Sequence, residues 1–368
     1  MGLFICLMMW SILSASIFFI GKNTKNKKIV YILLVYIPLI FISGLRNWNV
    51  GTDTILFHQW YDATKNVNIE DFGWFYQLPL ADGSTLEWGF VWIGHFFNML
   101  NLDVQVMIFI YSMITILGMG YAFYKYSKSV WLSTFLFIAL YSYAETLNMA
   151  KQWVAVMIMF NAFGYLKSDY RLKYLGMIFL SIIFHFSAVI HVIILFLMPI
   201  KIKKSIAGLI FFIILGIISW NFVLTFAGTL SLKYLSYAGT SYAMEKNFGA
   251  GILQIFGILI LMAISYYLYR NKKFSIEEQK EVIICNVFMI FLIMMMYSQY
   301  IIIILYRFVP YFFVYLYLLV PLIVDKMTKT TIFIKFIVYT MIVIIGFIYC
   351  IVMMNLGHHE VIPYNFCF

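Results

Sequence analysis

Six charged or titratable side chains interrupt the long apolar segments of this chain or stand at their ends. Arginine and lysine bind phosphate, and the guanidinium group does so through two parallel hydrogen bonds. Carboxylates and histidine act as general bases. Ionisable groups are costly in apolar surroundings, so each one is a candidate for function. The six residues are Arg46, Asp53, Glu87, Lys151, His185 and Arg307.

The composition indicates an integral membrane protein. Of the 368 residues, 64% are hydrophobic and 11% are charged, whereas about 25% of a soluble domain is charged. The net charge of +10 is expected to come from basic cytoplasmic loops, and nucleic acid is not an expected partner. The four cysteines lack metal-ligand spacing, and His185 and His191 have no cysteine or acid nearby. Neither a metal nor another cofactor is therefore expected.

The apolar runs predict an all-α fold, a polytopic integral membrane helix bundle that forms one domain over residues 1–368. A span needs about 20 apolar residues. Two shorter pieces predict a helical hairpin at 172–199, and the segment 86–100 is expected to be interfacial or re-entrant. About ten full spans are predicted near 2–20, 28–45, 104–124, 129–146, 148–166, 205–227, 251–269, 282–303, 304–324 and 332–355.

The basic residues predict the orientation of the bundle. All but six of the 25 lysines and arginines fall in linkers that share one side, provided that the hairpin 172–199 enters and leaves there. The positive-inside rule makes that side cytoplasmic. The termini and the main loop, 46–87, are then extracytoplasmic. Six cations remain unexplained by topology: Arg46, Lys65, Lys151, Lys233, Lys246 and Arg307.

The outer loop combines carboxylates with many aromatic residues, including Trp48 and Trp88. One interpretation is an interfacial belt, because tryptophan and tyrosine gather at lipid headgroups. The other is a platform on which sugar rings stack. Gly51 permits a turn with positive φ, after which Thr52 or Asp53 can cap the next helix. Capping and catalysis therefore both remain open for Asp53.

The other candidates also have structural explanations. Lys151, beside Gln152 at the start of a span, either snorkels to the headgroups or faces a bound anion at a helix N-terminus. His185 falls at the predicted turn of the hairpin and is either a hydrogen-bonded core residue or a general base. Arg307 needs a partner, which a carboxylate such as Glu87 or a phosphate would provide.

The resemblance of the chain to a known family rests on motifs in a fixed order. They are Leu45-Arg46 with Val50-Gly51-Thr52-Asp53, Glu87-Trp88-Gly89-Phe90, Lys151-Gln152, Phe184-His185-Phe186-Ser187-Ala188, Tyr306-Arg307 and Pro363-Tyr364. In these the chain resembles the EpsG-like branch of the Wzy oligosaccharide repeat-unit polymerases over nearly its whole length. It departs at Lys151, where the family pattern is expected to have arginine. Lysine keeps the charge but loses the bidentate fork.

The resemblance implies a glycosyltransferase in the bacterial cell (inner) membrane that acts on its extracytoplasmic side. The growing glycan would pass from undecaprenyl pyrophosphate to the next lipid-linked repeat, giving capsule, exopolysaccharide or O-antigen. A chain-length regulator is a further expected partner besides membrane lipid. The predicted catalytic residues are His185, Glu87 and Asp53, and the predicted substrate-binding residues are Arg46, Lys151, Gln152, Arg307, Trp48 and Trp88.

Three alternatives fit the same composition. A flippase or transporter of lipid-linked oligosaccharide would also need a cationic cavity, but it is expected to have broken helices in both halves of the chain. The sequence shows one short hairpin, at 172–199, without a counterpart in the second half. A glycan ligase or another membrane glycosyltransferase also fits. A structural scaffold leaves the outer cations without a purpose.

Overall fold

The computed structural model describes residues 1–19, 25–67, 78–80, 85–197, 249–298, 303–327 and 332–368, which are mostly helical. The helices α1–α16 of these ranges are Gly2–Ser14, Lys25–Gly44, Thr54–Ala63, Trp88–Met99, Val104–Tyr126, Val130–Ala139, Ser142–Asn148, Ala150–Asn161, Phe163–Lys167, Arg171–Phe184, His191–Leu197, Gly249–Arg270, Ile276–Ser298, Val309–Phe313, Leu316–Met327 and Ile332–Asn355. The predicted span 205–227 lies outside the described residues.

The remaining elements are short. Two strands of two residues each, β1 (Leu78–Pro79) and β2 (Thr85–Leu86), pair antiparallel just before α4. Turns of 3-10 helix occupy Ala15–Phe19, Thr64–Asn66, Phe186–Ile190, Ile303–Phe308 and His358–Glu360.

The all-α membrane class is confirmed, but the count of about ten spans is not. Within the described ranges, six helices are long and apolar enough to cross a membrane: Lys25–Gly44, Val104–Tyr126, Gly251–Arg270, Ile276–Tyr297, Leu305–Met327 and Phe333–Asn355. The predicted span 129–146 is instead a pair, α6 and α7, bent by 58°. The bend falls at Tyr141, whose φ of 71° is left-handed and ends the first helix.

Helix α8 lies in the centre of the bundle. All residues from 150 to 160 are buried, and the helix packs against α5 and α10. Its predicted span, 148–166, is divided because α8 ends at Asn161 and the short α9 follows. A side chain on the first turn of α8 consequently points into protein, whichever way it leaves the helix.

Four linkers that were predicted to share one side meet at one end of the bundle. Glu278 Oε1 lies 2.7 Å from Lys128 Nζ and 2.8 Å from Lys326 Nζ. Glu281 Oε1 lies 2.5 Å from Lys167 Nζ. These ion pairs join the linkers after α5, α9, α12 and α15.

The predicted hairpin is present as a reversal of the chain at His185. This residue is extended, with φ −157° and ψ 121°, and it separates α10 from the 3-10 turn Phe186–Ile190. The chain then folds back, since the His191 Nδ1 atom lies 2.7 Å from the hydroxyl group of Tyr174 near the start of α10. His185 therefore stands at the tip of the hairpin.

Candidate active site

The centre of the candidate site is a buried ion pair. Lys151 on the first turn of α8 places its Nζ atom 3.0 Å from Glu87 Oε2, and each side chain is only 7% exposed. The same ammonium group lies 3.9 Å from the centroid of the Trp60 ring, which is cation–π distance. Lys151 thus finds its partners inside the bundle and does not snorkel towards lipid headgroups.

His185 brings the tip of the hairpin to the same carboxylate. Its Nε2 atom lies 4.0 Å from Glu87 Oε1. On the other side of the ring, Nδ1 is 2.5 Å from Ser187 Oγ, which in turn is 3.1 Å from the Tyr311 hydroxyl oxygen. A continuous row of polar groups therefore runs from Lys151 to the start of α14. We call Glu87, Lys151, His185, Ser187 and Tyr311 the Glu87 cluster.

The sequence Glu87-Trp88-Gly89 explains how the carboxylate reaches the hairpin. Glu87 is the N-cap residue of α4, with φ −64° and ψ 137°. A Cβ atom on Gly89 would lie 2.3 Å from Ile183 Cγ2 and 2.7 Å from the Ile183 carbonyl oxygen. Glycine thus permits α4 to approach α10 two residues before His185. The centroid of the Trp88 ring on α4 lies 6.2 Å from that of the Phe179 ring on α10.

Gln152 and Arg307 are also brought together. The Gln152 Nε2 group donates a hydrogen bond of 2.5 Å to the backbone carbonyl of Arg307. Arg307 is the penultimate residue of the 3-10 turn Ile303–Phe308, four residues before Tyr311 of the Glu87 cluster. The predicted sites around Glu87, Lys151, His185 and Arg307 thus converge on one region, although they are far apart in the sequence.

Arg46 is held by protein groups in a different place. Its Nη1 donates to the Ser43 carbonyl at 2.6 Å and to Ser112 Oγ at 3.2 Å, and its Nε donates to Thr54 Oγ1 at 3.3 Å. The side chain is 1% exposed, and Nη2 is buried without a hydrogen-bond partner among the described residues. Burial lowers the pKa of Arg46 to about 10. These contacts join α2, α3 and α5, while the predicted contact with pyrophosphate stays a prediction.

Asp53 occupies the N-cap position of α3, but its side chain makes no capping hydrogen bond. Its backbone N–H instead donates to Asn148 Oδ1 at 2.7 Å, and the Thr52 hydroxyl donates to the same oxygen at 3.2 Å. Gly51 has φ +87° and lies against Asn148, so the predicted positive-φ turn is confirmed. The position of Asp53 follows the helix-cap interpretation, and its catalytic role stays a prediction.

A second polar cluster lies at the junction of α7 and α8. Glu145 accepts a hydrogen bond of 2.6 Å from the Tyr306 hydroxyl group, and His359 Nε2 is 3.9 Å from Glu145 Oε1. Asn148 Nδ2 is 2.9 Å from His359 Nδ1. Burial, followed by the neighbouring charge of His358, lowers the pKa of His359 to about 4. We call Glu145, Asn148, Tyr306 and His359 the His359 cluster.

The C-terminal segment, residues 357–367, connects the His359 cluster to the loop that starts at Arg46 through hydrogen bonds. The backbone N–H groups of Asn47, Gly51 and Thr52 donate to carbonyls of the segment at 2.9, 3.0 and 3.3 Å. The N–H of Cys367 returns a bond of 2.9 Å to Leu45, and the Tyr364 hydroxyl bonds to the Ile42 carbonyl. The motif at 46–53 is therefore held mainly by main-chain bonds.

Part of the predicted aromatic platform can be located. Trp48 is 54% exposed, which suits either a headgroup contact or a sugar contact. Trp60 lies against the ammonium group of Lys151, a member of the Glu87 cluster. Some acids and aromatic residues of the loop lie outside the described residues, namely Glu70, Asp71, Phe72, Trp74, Phe75, Tyr76 and Asp82.

Several residues of the two clusters were missed by sequence reasoning. Ser187, Tyr306 and Tyr311 stand in or beside quoted motifs, but hydroxyl groups in an apolar run give no signal of what they contact. Glu145 and Asn148 lie just before Lys151 in the sequence, and nothing local to them indicates their contacts with Tyr306 and His359. His359 belongs to the polar triplet after the last span, and that triplet is the signal that could have identified it. Within the described ranges, no group of three or more His, Cys, Asp or Glu residues is placed to hold a metal ion.

Comparison with known proteins supports the predicted family. The model of the EpsG family matches residues 29–366, nearly the whole chain. The chain therefore belongs to the EpsG family, a bacterial family of Wzy-like polymerases. No curated protein and no solved structure gives a significant match to the chain.

Proposed function

We propose that this EpsG-family protein polymerises lipid-linked oligosaccharide repeat units at the outer face of the bacterial cell membrane. The observation that supports the proposal most is the Glu87 cluster, a buried carboxylate held between a lysine at 3.0 Å and a histidine at 4.0 Å. A charged group inside a membrane bundle is costly and usually functional. The product is a capsule, an exopolysaccharide or an O-antigen.

The proposed reaction is a displacement at the anomeric carbon of the growing glycan. A hydroxyl oxygen of the incoming lipid-linked repeat forms the new bond to that carbon. The bond from the carbon to the diphosphate oxygen breaks, and its electron pair leaves with undecaprenyl pyrophosphate. The hydroxyl proton is taken up by a base of the protein. The reaction thus needs a base and cationic groups that stabilise the negative charge on the diphosphate.

Glu87 and His185 are the candidates for that base. His185 Nδ1 accepts from the backbone N–H of Ser187 at 3.4 Å and lies 2.5 Å from Ser187 Oγ, which donates to the Tyr311 hydroxyl group. The other ring nitrogen, Nε2, lies 4.0 Å from Glu87 Oε1. We assign the uptake of the proton to this pair, in which Lys151 holds the Glu87 carboxylate at 3.0 Å.

The cations divide between two tasks in this proposal. Lys151 and Arg307 lie at neighbouring points of the site, because Gln152 is bonded to the Arg307 backbone. We assign both to the diphosphate of the donor. Arg46 and Asp53 shape the adjoining loop through their bonds to α2, α3, α5 and Asn148.

The deciding experiment uses the purified protein in lipid vesicles with lipid-linked repeat units isolated from the host. A ladder of lipid-linked oligomers supports the polymerase. The Glu87→Gln variant is expected to give single repeats without a ladder. Transport of labelled repeats across the vesicle wall, without oligomers, would instead indicate a flippase. Transfer of glycan to a different acceptor would indicate a ligase.

A cellular test separates the same alternatives. In Arg307→Ala cells, we expect single repeats to reach the surface while long glycan is lost. A flippase defect would remove surface repeats altogether. A cysteine placed at Asp71, which lies outside the described residues, tests the predicted orientation. It should react with an impermeant reagent on intact cells, and labelling only after lysis would reverse the assignment of sides.

A further inference from the structure

The protonation state of His359 follows from its neighbours. The backbone N–H of Asp53 donates to Asn148 Oδ1, which fixes Nδ2 as the donor end of the Asn148 side chain. Asn148 Nδ2, at 2.9 Å, must then donate to His359 Nδ1. The proton of the neutral imidazole is consequently on Nε2.

This Nε2–H group is directed at Glu145 but does not reach it. The distance to Glu145 Oε1 is 3.9 Å, which is too long for a hydrogen bond. Nε2 is buried and has no hydrogen-bond partner in the part of the chain that the structure describes. An unsatisfied buried donor costs about 1–3 kcal/mol. Two hydrogen bonds of about 2.8 Å can nevertheless converge on a single oxygen atom placed between groups at this separation.

The backbone conformation of His359 also indicates that the space between His359 Nε2 and Glu145 Oε1 has a function. His359 has φ 62° and Glu360 has φ 49°, both left-handed, a conformation that costs about 1–2 kcal/mol per residue. The strain is maintained by bonds from the N–H groups of Gly51 and Thr52 to the carbonyls of these two residues. Such outliers persist where the surrounding structure enforces them, and they cluster at binding sites.

We propose that Glu145 and His359 form a binding site for a hydroxyl group of the glycan substrate. The hydroxyl oxygen accepts a hydrogen bond from His359 Nε2–H and donates its own proton to Glu145 Oε1. The side chains of Glu145 and His359 are 12% and 15% exposed, so both are mostly buried but keep some contact with solvent. This inference rests on the polymerase function, because it takes the glycan of that reaction as its ligand.

The charges of the site select a neutral ligand. His359 is uncharged and Glu145 is a carboxylate or a carboxylic acid, so the site offers no cation to a phosphate. The cationic residues are outside it: Lys151 is on the first turn of α8, and Arg307 follows Tyr306 in the chain. The structure thus separates a hydroxyl-binding region from a diphosphate-binding region, as a substrate with a sugar part and a pyrophosphate part requires.

Two substitutions at His359 test the proposal directly. His359→Gln places an amide N–H near the position of Nε2 and keeps the donor. His359→Asn keeps an acceptor for Asn148, tolerates the left-handed backbone and loses the donor that faces Glu145. The probe is the host repeat-unit oligosaccharide, released from its lipid by mild acid and titrated into the full-length protein in nanodiscs.

We expect His359→Asn to weaken oligosaccharide binding by about 5- to 10-fold, the value of one hydrogen bond. His359→Gln should stay within about threefold of the wild type. Binding of undecaprenyl pyrophosphate without sugar should be equal in all three proteins. If His359→Asn binds the oligosaccharide like the wild type, a bound water alone fills the gap and the proposal is wrong.

The experiments distinguish a failure of the proposed hydroxyl site from a failure of the proposed polymerase function. Formation of oligomer ladders by the wild type decides the reaction, whatever the variants bind. A wild type that makes ladders, with oligosaccharide affinity indifferent to His359, overturns the hydroxyl site alone. A wild type that binds the oligosaccharide through His359 but makes no ladder supports the site and overturns the polymerase.

Discussion

Lys151 and Glu87 bury opposite charges against each other at 3.0 Å, with 7% of each side chain exposed. Neither charge has access to bulk water, so each depends on the other for its ionised form. The pair joins the N-terminus of α4 to the N-terminus of α8, across 64 residues of sequence. The candidate base and a candidate phosphate-binding cation are thus fixed by one interaction.

Variants of the ion pair between Glu87 and Lys151 are expected to affect the stability of the protein and its polymerisation activity differently. Glu87→Gln leaves the Lys151 ammonium group buried without its counter-charge, which is expected to destabilise the protein by about 3 kcal/mol. The double variant Glu87→Gln/Lys151→Met should regain most of that stability but no polymerisation. Lys151→Arg, which restores the residue expected in the family, is the matched control and should keep both properties.

Thermal unfolding in detergent, followed by tryptophan fluorescence, measures the stability of these variants, and ladder formation measures activity. A double variant as unstable as Glu87→Gln would show that the charge pair is not the cause of the loss. A double variant that polymerises would remove both residues from the mechanism.

The hairpin tip predicts graded effects along the row of polar groups. His185→Asn keeps an acceptor for the Ser187 N–H but removes the group that faces Glu87. We expect polymerisation to fall by about 100-fold, the lower end of a general acid–base contribution. Tyr311→Phe, two contacts further from Glu87, should fall by less than about tenfold.

Initial rates of ladder formation at equal protein level provide the comparison. Wild-type rates for His185→Asn would exclude His185 from the uptake of the proton. A larger loss for Tyr311→Phe than for His185→Asn would show that the row does not act through Glu87.

The sequence predicted the fold class and the reversal at His185, because the length of apolar runs is a local property. It did not predict that Glu87 would pair with Lys151, since both an arginine and a lysine on the same side were available partners. The break at Tyr141 was also missed. A left-handed tyrosine is stabilised by tertiary contacts, here a bond of 2.9 Å from its hydroxyl to the His358 carbonyl, and nothing in the apolar run from 129 to 146 signals it.

The site residues show the same limit. Asn148 accepts from the loop at 52–53 and donates to His359, so its role depends on segments about 95 and 211 residues away. Such a residue has no sequence signature in a single chain. The charged residues could be identified because a charge in an apolar run is conspicuous, whereas the neutral residues that position them are not.

The close approach of α4 to α10 predicts that Gly89 cannot be replaced. In Gly89→Ala, the new methyl group would meet Ile183 Cγ2 at 2.3 Å and the Ile183 carbonyl oxygen at 2.7 Å. The backbone oxygen cannot rotate away, so α4 must shift, and Glu87 must shift with it. We expect polymerisation to fall by about 100-fold, because displacement of a catalytic group by about 1 Å has such an effect.

Gly176→Ala is the matched control: Gly176 lies on α10, the helix that Gly89 approaches, and its new methyl group would meet no other described part of the protein within 4 Å. It should polymerise normally and be slightly more stable, because alanine favours a helix by about 1 kcal/mol over glycine. Equal rates for the two variants would show that the contact at Gly89 does not position Glu87.

The C-terminal segment is expected to loosen as the pH falls. Burial lowers the pKa of both His358 and His359, the latter to about 4. In an unfolded chain, the pKa of histidine is about 6.5. Each depressed pKa gives stability that is complete above pH 6.5 and is lost progressively as the pH decreases towards 4. Hydrogen exchange of the peptide 357–367, corrected for the intrinsic rate at each pH, should therefore be faster at pH 5 than at pH 7.5.

The variant His358→Asn/His359→Asn, which cannot titrate there, should show equal protection at both values. Protection of the wild-type segment that is independent of pH in this range would contradict the assignment of neutral, buried histidines.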